Sequence, residues 1–153
     1  MKHFQKNSLI AFLSMILTSC TFSANTSQQN NEEDREEAEK VTALFYAYLE
    51  NKEYPKTHPF FSQRFLEVTN NTEIDKIFED SDERLGSINK RELHEWETNI
   101  SFGTNSSSNY ILVYNITREK YNSLETITLE KEGSKIKILG YHIQSPGFDK
   151  VAE

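Results

Sequence analysis

The spacing of apolar residues changes at Gly86, and this change constrains the fold more than any other feature of the chain. Before Gly86, apolar side chains recur three and four residues apart, which is typical of helices that bury one face. After it, they alternate with polar side chains, as in strands of a half-buried sheet. Helices followed by a run of strands predict an α+β domain with an antiparallel sheet.

Three helices are predicted before Gly86. The first covers residues 32–51 and begins with an acidic run, which the helix dipole favours. Its apolar stripe predicts that Leu44 and Phe45 pack beneath the sheet. A short helix follows near Phe60 to Leu66, and a third begins at a capping box starting at Thr72 and ends at Gly86. The stripe of the first helix comprises Ala38, Val41, Leu44, Phe45, Tyr48 and Leu49.

Four strands are predicted after Gly86, over residues 87–102, 109–121, 124–131 and 135–144. The apolar positions of the last strand change sides between Ile138 and Leu139, which predicts a β-bulge near Gly140. The predicted architecture is therefore N-terminal helices packed on a curved four-stranded antiparallel sheet.

The first twenty residues have the layout of an export signal. Lys2 and Lys6 precede an apolar run over residues 9–17, which is about half the ~20 residues that cross a bilayer. The run ends at Leu17-Thr18-Ser19-Cys20, and Cys20 is the only cysteine in the chain. This tetrapeptide resembles the lipobox of bacterial lipoproteins, in which the cysteine becomes the lipidated first residue. The resemblance implies a signal peptide over residues 1–19 and lipidation of Cys20; a plain signal peptide is the alternative.

Composition divides the remainder into a linker and one domain. Residues 20–31 are polar and lack an apolar period, so they are predicted to form a flexible tether. Residues 32–153 then form a single α+β domain. Removing Lys2 and Lys6 with the signal leaves 15 basic against 24 acidic residues, a net charge of −9. Such a surface repels nucleic acid, and no cysteine remains for a disulfide.

Four short runs carry a further resemblance, to a family of exported bacterial proteins of unknown function. The runs are Arg84-Leu85-Gly86, Asn89-Lys90-Arg91-Glu92-Leu93, Leu124-Glu125-Thr126-Ile127-Thr128-Leu129 and Leu139-Gly140-Tyr141-His142-Ile143. That family is similar in architecture to the nuclear transport factor 2-like, or cystatin-like, cone. The resemblance implies this fold and a cell-envelope location, and it implies no catalytic residues.

Aromatic and histidine side chains on the predicted strands form the candidate ligand pocket. His94, Trp96 and Tyr114 could line it, although ordinary core packing is the favoured explanation for each of them. Glu92 and His94 share a strand face and would form a metal site if His142 lay on a neighbouring strand. Packing is the favoured explanation of these histidines, so neither a metal nor another cofactor is predicted.

Two further patterns bear on chemistry. Arg91 is predicted to pair with Glu125 across strands, as a surface ion pair without a function. A steroid-isomerase-like site would need an aspartate facing a tyrosine in an apolar pocket, and no aspartate lies on a predicted strand. The chain also lacks CxxC, HExxH, GxSxG and glycine-rich phosphate-loop motifs.

The function expected from the sequence is that of a non-catalytic envelope lipoprotein. It would lie on the cell membrane or outer membrane, facing the periplasm or the exterior, and bind an envelope protein or a small ligand. An enzyme that uses the cone pocket and a structural or stress-related surface protein are the alternatives.

Overall fold

The computed structural model describes residues 26–103 and 106–149, and these residues form a mixed α+β structure, as predicted. The predicted signal peptide, Cys20 and the first part of the predicted tether lie outside the described residues. The helices are α1 (Glu32–Glu50), α2 (Gln63–Leu66), α3 (Asn71–Leu85) and α4 (Pro146–Asp149). The strands are β1 (Thr26–Gln29), β2 (Ile88–Phe102), β3 (Ser107–Arg118), β4 (Ser123–Glu132) and β5 (Lys135–Gln144).

The sheet is antiparallel with the strand order β1-β2-β3-β4-β5, so the predicted count of four strands is wrong by one. The additional strand β1 lies within the predicted tether and pairs with the end of β2, from Thr26 opposite Phe102 to Gln29 opposite Asn99. Its sequence, TSQQ, buries no side chain and therefore has no apolar period to detect. Backbone pairing at the sheet edge holds this segment, which corrects the prediction of a flexible tether up to residue 31.

Asn31 caps the N-terminus of helix α1, and its side chain accepts hydrogen bonds from the backbone N–H groups of Glu33 and Asp34. Phe45 lies on its buried face, but Leu44 is 57% exposed, so the prediction that both pack beneath the sheet is wrong for Leu44. Successive helical residues differ by 100° around the axis, and the buried face is centred on Phe45. The buried residues of α1 are Ala38, Thr42, Phe45, Tyr46 and Leu49.

Helix α3 begins with a capping box, as predicted, but two residues earlier. Asn70 accepts from the N–H of Glu73, and the Glu73 side chain accepts from the N–H of Asn70. The helix ends at Gly86, where φ is +79° and a Cβ would lie 2.7 Å from the Cβ of Glu119. Both the backbone conformation and the lack of space therefore require glycine at this helix end.

The core lies between α1, α3 and one face of the sheet, and Phe45 is at its centre. The Phe45 ring has edge-to-face contacts with five aromatic rings at centroid distances of 5.6–6.2 Å. Those five rings are Tyr46, Phe60, Phe61, Phe78 and Tyr141. Strand residues from β3, β4 and β5 complete the core: Tyr110, Leu112, Tyr114, Ile116, Ile127, Leu129 and Ile138.

Two strands contain β-bulges that change which side chains face the helices. In β5, Gly140 pairs with Thr128 and Ile138 with Leu129, which leaves Leu139 as the extra residue. The bulge predicted near Gly140 is therefore confirmed. In β2, Leu93 pairs with Tyr114 and Glu95 with Val113, so His94 is the extra residue. Bulges increase local twist and bend a strand, and these two lie on opposite sides of the sheet centre.

Candidate functional site

A buried carboxylate, Glu125 on β4, is the centre of the main polar cluster in the described part of the chain. Its side chain is 0% exposed. One carboxylate oxygen accepts hydrogen bonds from Arg118 and Ser123, each at 2.7 Å. The other accepts from the hydroxyl of Tyr46, at 3.0 Å, and from that of Tyr141. These five residues are called the Glu125 cluster below.

The hairpin between β3 and β4 positions the two charges of this cluster. Arg118 ends β3, and its backbone N–H donates to the side chain of Asn122 in the turn. The guanidinium donates to Glu125, to the hydroxyl oxygen of Ser123 at 3.2 Å and to the carbonyl of Gly86 at 3.2 Å. Charge-assisted bonds of this kind fix both side chains. The cluster therefore connects the hairpin to the end of α3.

The two phenols connect the cluster to other elements. Tyr46 belongs to α1 and Tyr141 to β5, and both donate to the same oxygen of Glu125. Burial, together with the negative charge of Glu125, holds the pKa of Tyr46 and that of Tyr141 well above 10. Both hydroxyls therefore stay protonated at neutral pH. All lone-pair positions of Glu125 are consequently occupied by donors from the protein itself.

A small cavity adjoins the cluster, between α3 and the sheet. Arg118, Tyr141, Tyr54 and Asp82 are among its lining residues. Its volume of about 10 Å³ holds at most one water molecule. The hydroxyl of Tyr54 donates to Asp82 at 3.3 Å, and burial and the Asp82 charge raise the pKa of Tyr54 to about 12. This cavity beside the Glu125 cluster is therefore too small for a substrate.

The three residues of the predicted ligand pocket have different surroundings in the structure. Trp96 is half-buried against α1, with the Arg35 guanidinium 5.5 Å from its ring centroid. Tyr114 is buried and its hydroxyl lies 2.7 Å from that of Thr42. His94, the extra residue of the β2 bulge, is half-exposed beside Glu95. Trp96 and Tyr114 thus pack against α1, and none of the three lines the small cavity beside the Glu125 cluster.

The strand order also separates the residues considered for a metal site. His142 is on β5, three strands from Glu92 and His94 on β2, which corresponds to about 14 Å at ~4.7 Å per strand. The arrangement that this metal site would need, with His142 on a strand next to β2, is therefore not formed. Among residues 26–103 and 106–149, no group of three or more His, Cys, Asp or Glu side chains could hold a metal ion.

The predicted pairing of Arg91 with Glu125 is also wrong. Arg91 forms an ion pair at 2.8 Å with Glu50, at the end of α1, and its guanidinium lies 4.7 Å from the ring centroid of Tyr46. Glu125 pairs instead with Arg118. The alternating pattern of β4 places Glu125 on its buried face, and sequence reasoning missed the cluster because it expected an exposed pair there.

An apolar groove on the surface separates α1 from the start of β5 and is called the α1–β5 groove. Its volume is about 340 Å³, and its floor is formed by Val41, Phe60 and Ile136. Lys135 and Lys137 flank it, and the Lys137 ammonium donates to the carbonyl of Pro59. The groove combines three separate segments of sequence, so local periodicity could not have predicted it.

The chain matches no known protein-family model, no curated protein and no solved structure. Within the described ranges, no helix has the length and apolar character needed to span a membrane.

Proposed function

We propose that this chain is a lipid-anchored protein of the bacterial cell envelope, and that its domain is a non-catalytic binding module. The observation that carries the proposal is the position of the only cysteine, Cys20, directly after Leu17-Thr18-Ser19 at the end of a short apolar run. Lipid on Cys20 would hold the domain at the cell membrane or the outer membrane, facing the periplasm or the exterior.

The closed state of the Glu125 cluster supports a role without catalysis. A general acid or base must reach the proton that it transfers, at hydrogen-bond distance from a bound substrate. Glu125 is fully buried, and four donors of the protein occupy its oxygens. The alternative, an enzyme using the interior, would require Tyr54 or Tyr141 to move away from the small cavity that both line.

The α1–β5 groove is the place in the described chain that best fits a ligand. Its apolar floor suits a hydrophobic group, and Lys135 and Lys137 at its rim suit a negative charge. We therefore infer a ligand with an apolar body and a carboxylate or another anionic group, either a small molecule or a side chain of an envelope protein. Nothing comparable supports the third alternative, a purely structural or stress-related surface protein.

The cone fold remains part of the proposal. Helices lie against one face of the antiparallel sheet, and the bulges at His94 and Leu139 favour a curved sheet. Both features support a nuclear transport factor 2-like, or cystatin-like, cone and the relationship to exported bacterial proteins of unknown function.

Mass spectrometry of the full chain expressed in bacteria tests the anchor. The membrane fraction should contain a chain that begins at an acylated Cys20, and Cys20→Ser should release the protein from that fraction. A mature chain that begins elsewhere, or that carries no acyl group, would overturn the proposed attachment.

Binding of a dye with an apolar ring system and a sulfonate, such as an anilinonaphthalene sulfonate, tests the groove. The fluorescence of the dye should increase with the wild-type domain, and Ile136→Asp and Lys135→Glu should each weaken binding. Lys120→Glu is the matched control, because Lys120 is an exposed lysine outside the groove. Equal binding by all four proteins would contradict a ligand site at the groove.

A further inference from the structure

Strand β1 shortens the connection between the proposed lipid and the folded domain. Thr26, the first residue of β1, is six residues after Cys20, and an extended backbone spans at most ~3.3–3.6 Å per residue. The connection therefore reaches about 20 Å at most. A tether up to residue 31 would have allowed nearly twice that distance, so β1 restricts how far the domain stands from the bilayer.

The strand register defines which part of the domain lies nearest to the anchor. Thr26 pairs with Phe102, and β3 begins beside the end of β2 with Ser107 opposite Ser101. Lys135 and Glu132 close the β4–β5 hairpin at the same end of the sheet. This end is called the anchor end. Lys90 lies twelve residues before Phe102 on β2, which corresponds to about 40 Å at ~3.3 Å per residue.

Phe102 gives the anchor end an apolar contact. Its side chain is 51% exposed, whereas Ile100, two residues earlier on the same face, is buried. An aromatic ring that projects beyond the core is suited to the boundary between headgroups and acyl chains. Lys131 lines a shallow groove of about 350 Å³ with Phe102, and its ammonium lies 3.7 Å from the Glu37 carboxylate. Four serines line the same groove, so Phe102 is its large, exposed apolar side chain.

We infer that the anchor end lies against the bilayer that carries the Cys20 lipid, with Phe102 inserted at the headgroup boundary. This inference rests on the proposed lipidation of Cys20. Because the connection is short, the contact between the anchor end and the bilayer is intramolecular. The effective concentration of membrane around Phe102 is then far higher than it would be for a free domain, so a single aromatic ring is enough to hold this end at the bilayer. The far end of β2 then faces away from the anchor point, whereas the α1–β5 groove, which Lys135 of the anchor end lines, opens close to the membrane surface.

Site-specific fluorescence on the full lipidated chain tests this orientation. Because lipidation blocks the only natural cysteine, Ser107→Cys and Lys90→Cys each supply a single thiol for an environment-sensitive dye. The labelled proteins are inserted into phosphatidylethanolamine–phosphatidylglycerol vesicles that contain a lipid with a quencher at the headgroup boundary. We expect strong quenching at position 107 and weak quenching at position 90.

Phe102→Ser in the Ser107→Cys protein isolates the contribution of the ring. It should abolish most of the quenching at position 107, while the acyl mass and the circular dichroism spectrum remain unchanged. Equal quenching at positions 107 and 90 in acylated protein, or quenching that Phe102→Ser leaves unchanged, would overturn the orientation alone. Dye on an unmodified Cys20 would overturn the proposed anchor as well.

Discussion

Glu125 carries a negative charge into a part of the molecule that water does not reach, and Arg118 compensates for that charge. A buried ion pair adds little net stability relative to apolar residues, because both ions lose their hydration. Loss of one partner has a much larger cost, because the remaining ion is buried without compensation. The Glu125 cluster therefore determines how α1, β5 and the β3–β4 hairpin are placed relative to one another, and it adds little to the net stability of the fold.

Glu125→Gln should lower the free energy of unfolding by about 3–5 kcal/mol, because Arg118 would stay buried without its counter-ion. Urea unfolding measures this difference. The matched control is Glu92→Gln, which removes an exposed pair with Lys90 at 2.8 Å and should cost at most ~1 kcal/mol. Similar losses for the two variants would show that Glu125 does not depend on its buried partner.

The raised pKa values of Tyr46 and Tyr141 predict that the domain loses stability at alkaline pH. Folding raises the pKa of both phenols above 10, so the folded chain keeps protons that the unfolded chain has released. Their contribution is complete below pH 10 and decreases as the pH rises toward the folded-state pKa values. The free energy of unfolding should therefore fall from pH 10 upward.

Tyr46→Phe provides the comparison for this pH dependence. It should lower stability at pH 8, because Glu125 loses one donor, and should make the decrease above pH 10 less steep. Urea unfolding at half-unit pH intervals, with tyrosinate absorbance as a second signal, gives both quantities. An identical slope for the wild type and the variant would contradict a buried, protonated Tyr46.

In helix α1, the contribution of a side chain to stability depends on whether it lies on the buried or the exposed face. Phe45→Ala should cost about 3–5 kcal/mol, because it removes the ring at the centre of the aromatic core. Leu44→Ala should change stability by less than ~0.5 kcal/mol, because Leu44 is an exposed neighbour in the same helix. Thermal or urea unfolding of this matched pair distinguishes the two positions, and equal costs would contradict the assigned face.

Strand β1 predicts that the segment before α1 contributes to stability. A chain over residues 32–153 loses the pairing of β1 with β2. It also loses Asn31, which caps α1 and whose backbone N–H donates to the hydroxyl of Thr98 at 3.1 Å. It should therefore be at least ~1 kcal/mol less stable than a chain over residues 21–153. Equal unfolding midpoints would support the original prediction of a tether that contributes nothing.

Periodicity predicted the elements whose side chains make the core, and it failed where the backbone alone determines the structure. The long helix, the capping box and the bulge at Leu139 each correspond to a local pattern of apolar and polar residues. They could therefore be predicted from the sequence, the capping box to within two residues. Strand β1 depends on backbone pairing and left no such pattern. The Glu125 cluster and the α1–β5 groove depend on tertiary contacts, such as that of Tyr46 with Glu125, which no local window contains.

The Glu125 cluster and the aromatic core around Phe45 share residues. Tyr46 and Tyr141 donate to Glu125, and their rings contact Phe45. Phe78 of α3 contacts both Phe45 and Tyr141. Helices and sheet therefore have no separate cores, and neither can lose its packing without exposing the other.

This shared core predicts that the domain unfolds in one cooperative transition. Far-ultraviolet circular dichroism follows the helices, near-ultraviolet circular dichroism the aromatic core, and fluorescence of Trp96 the packing of β2 on α1. The three signals should give the same midpoint, and the calorimetric and van't Hoff enthalpies should agree, at about 0.7 kcal/mol per folded residue near 60 °C. Loss of helical signal before the Trp96 signal would contradict this prediction, since it would mean that α1 leaves a sheet that stays folded. Phe45→Ala should lower all three midpoints together, because its ring contacts both layers of the same core.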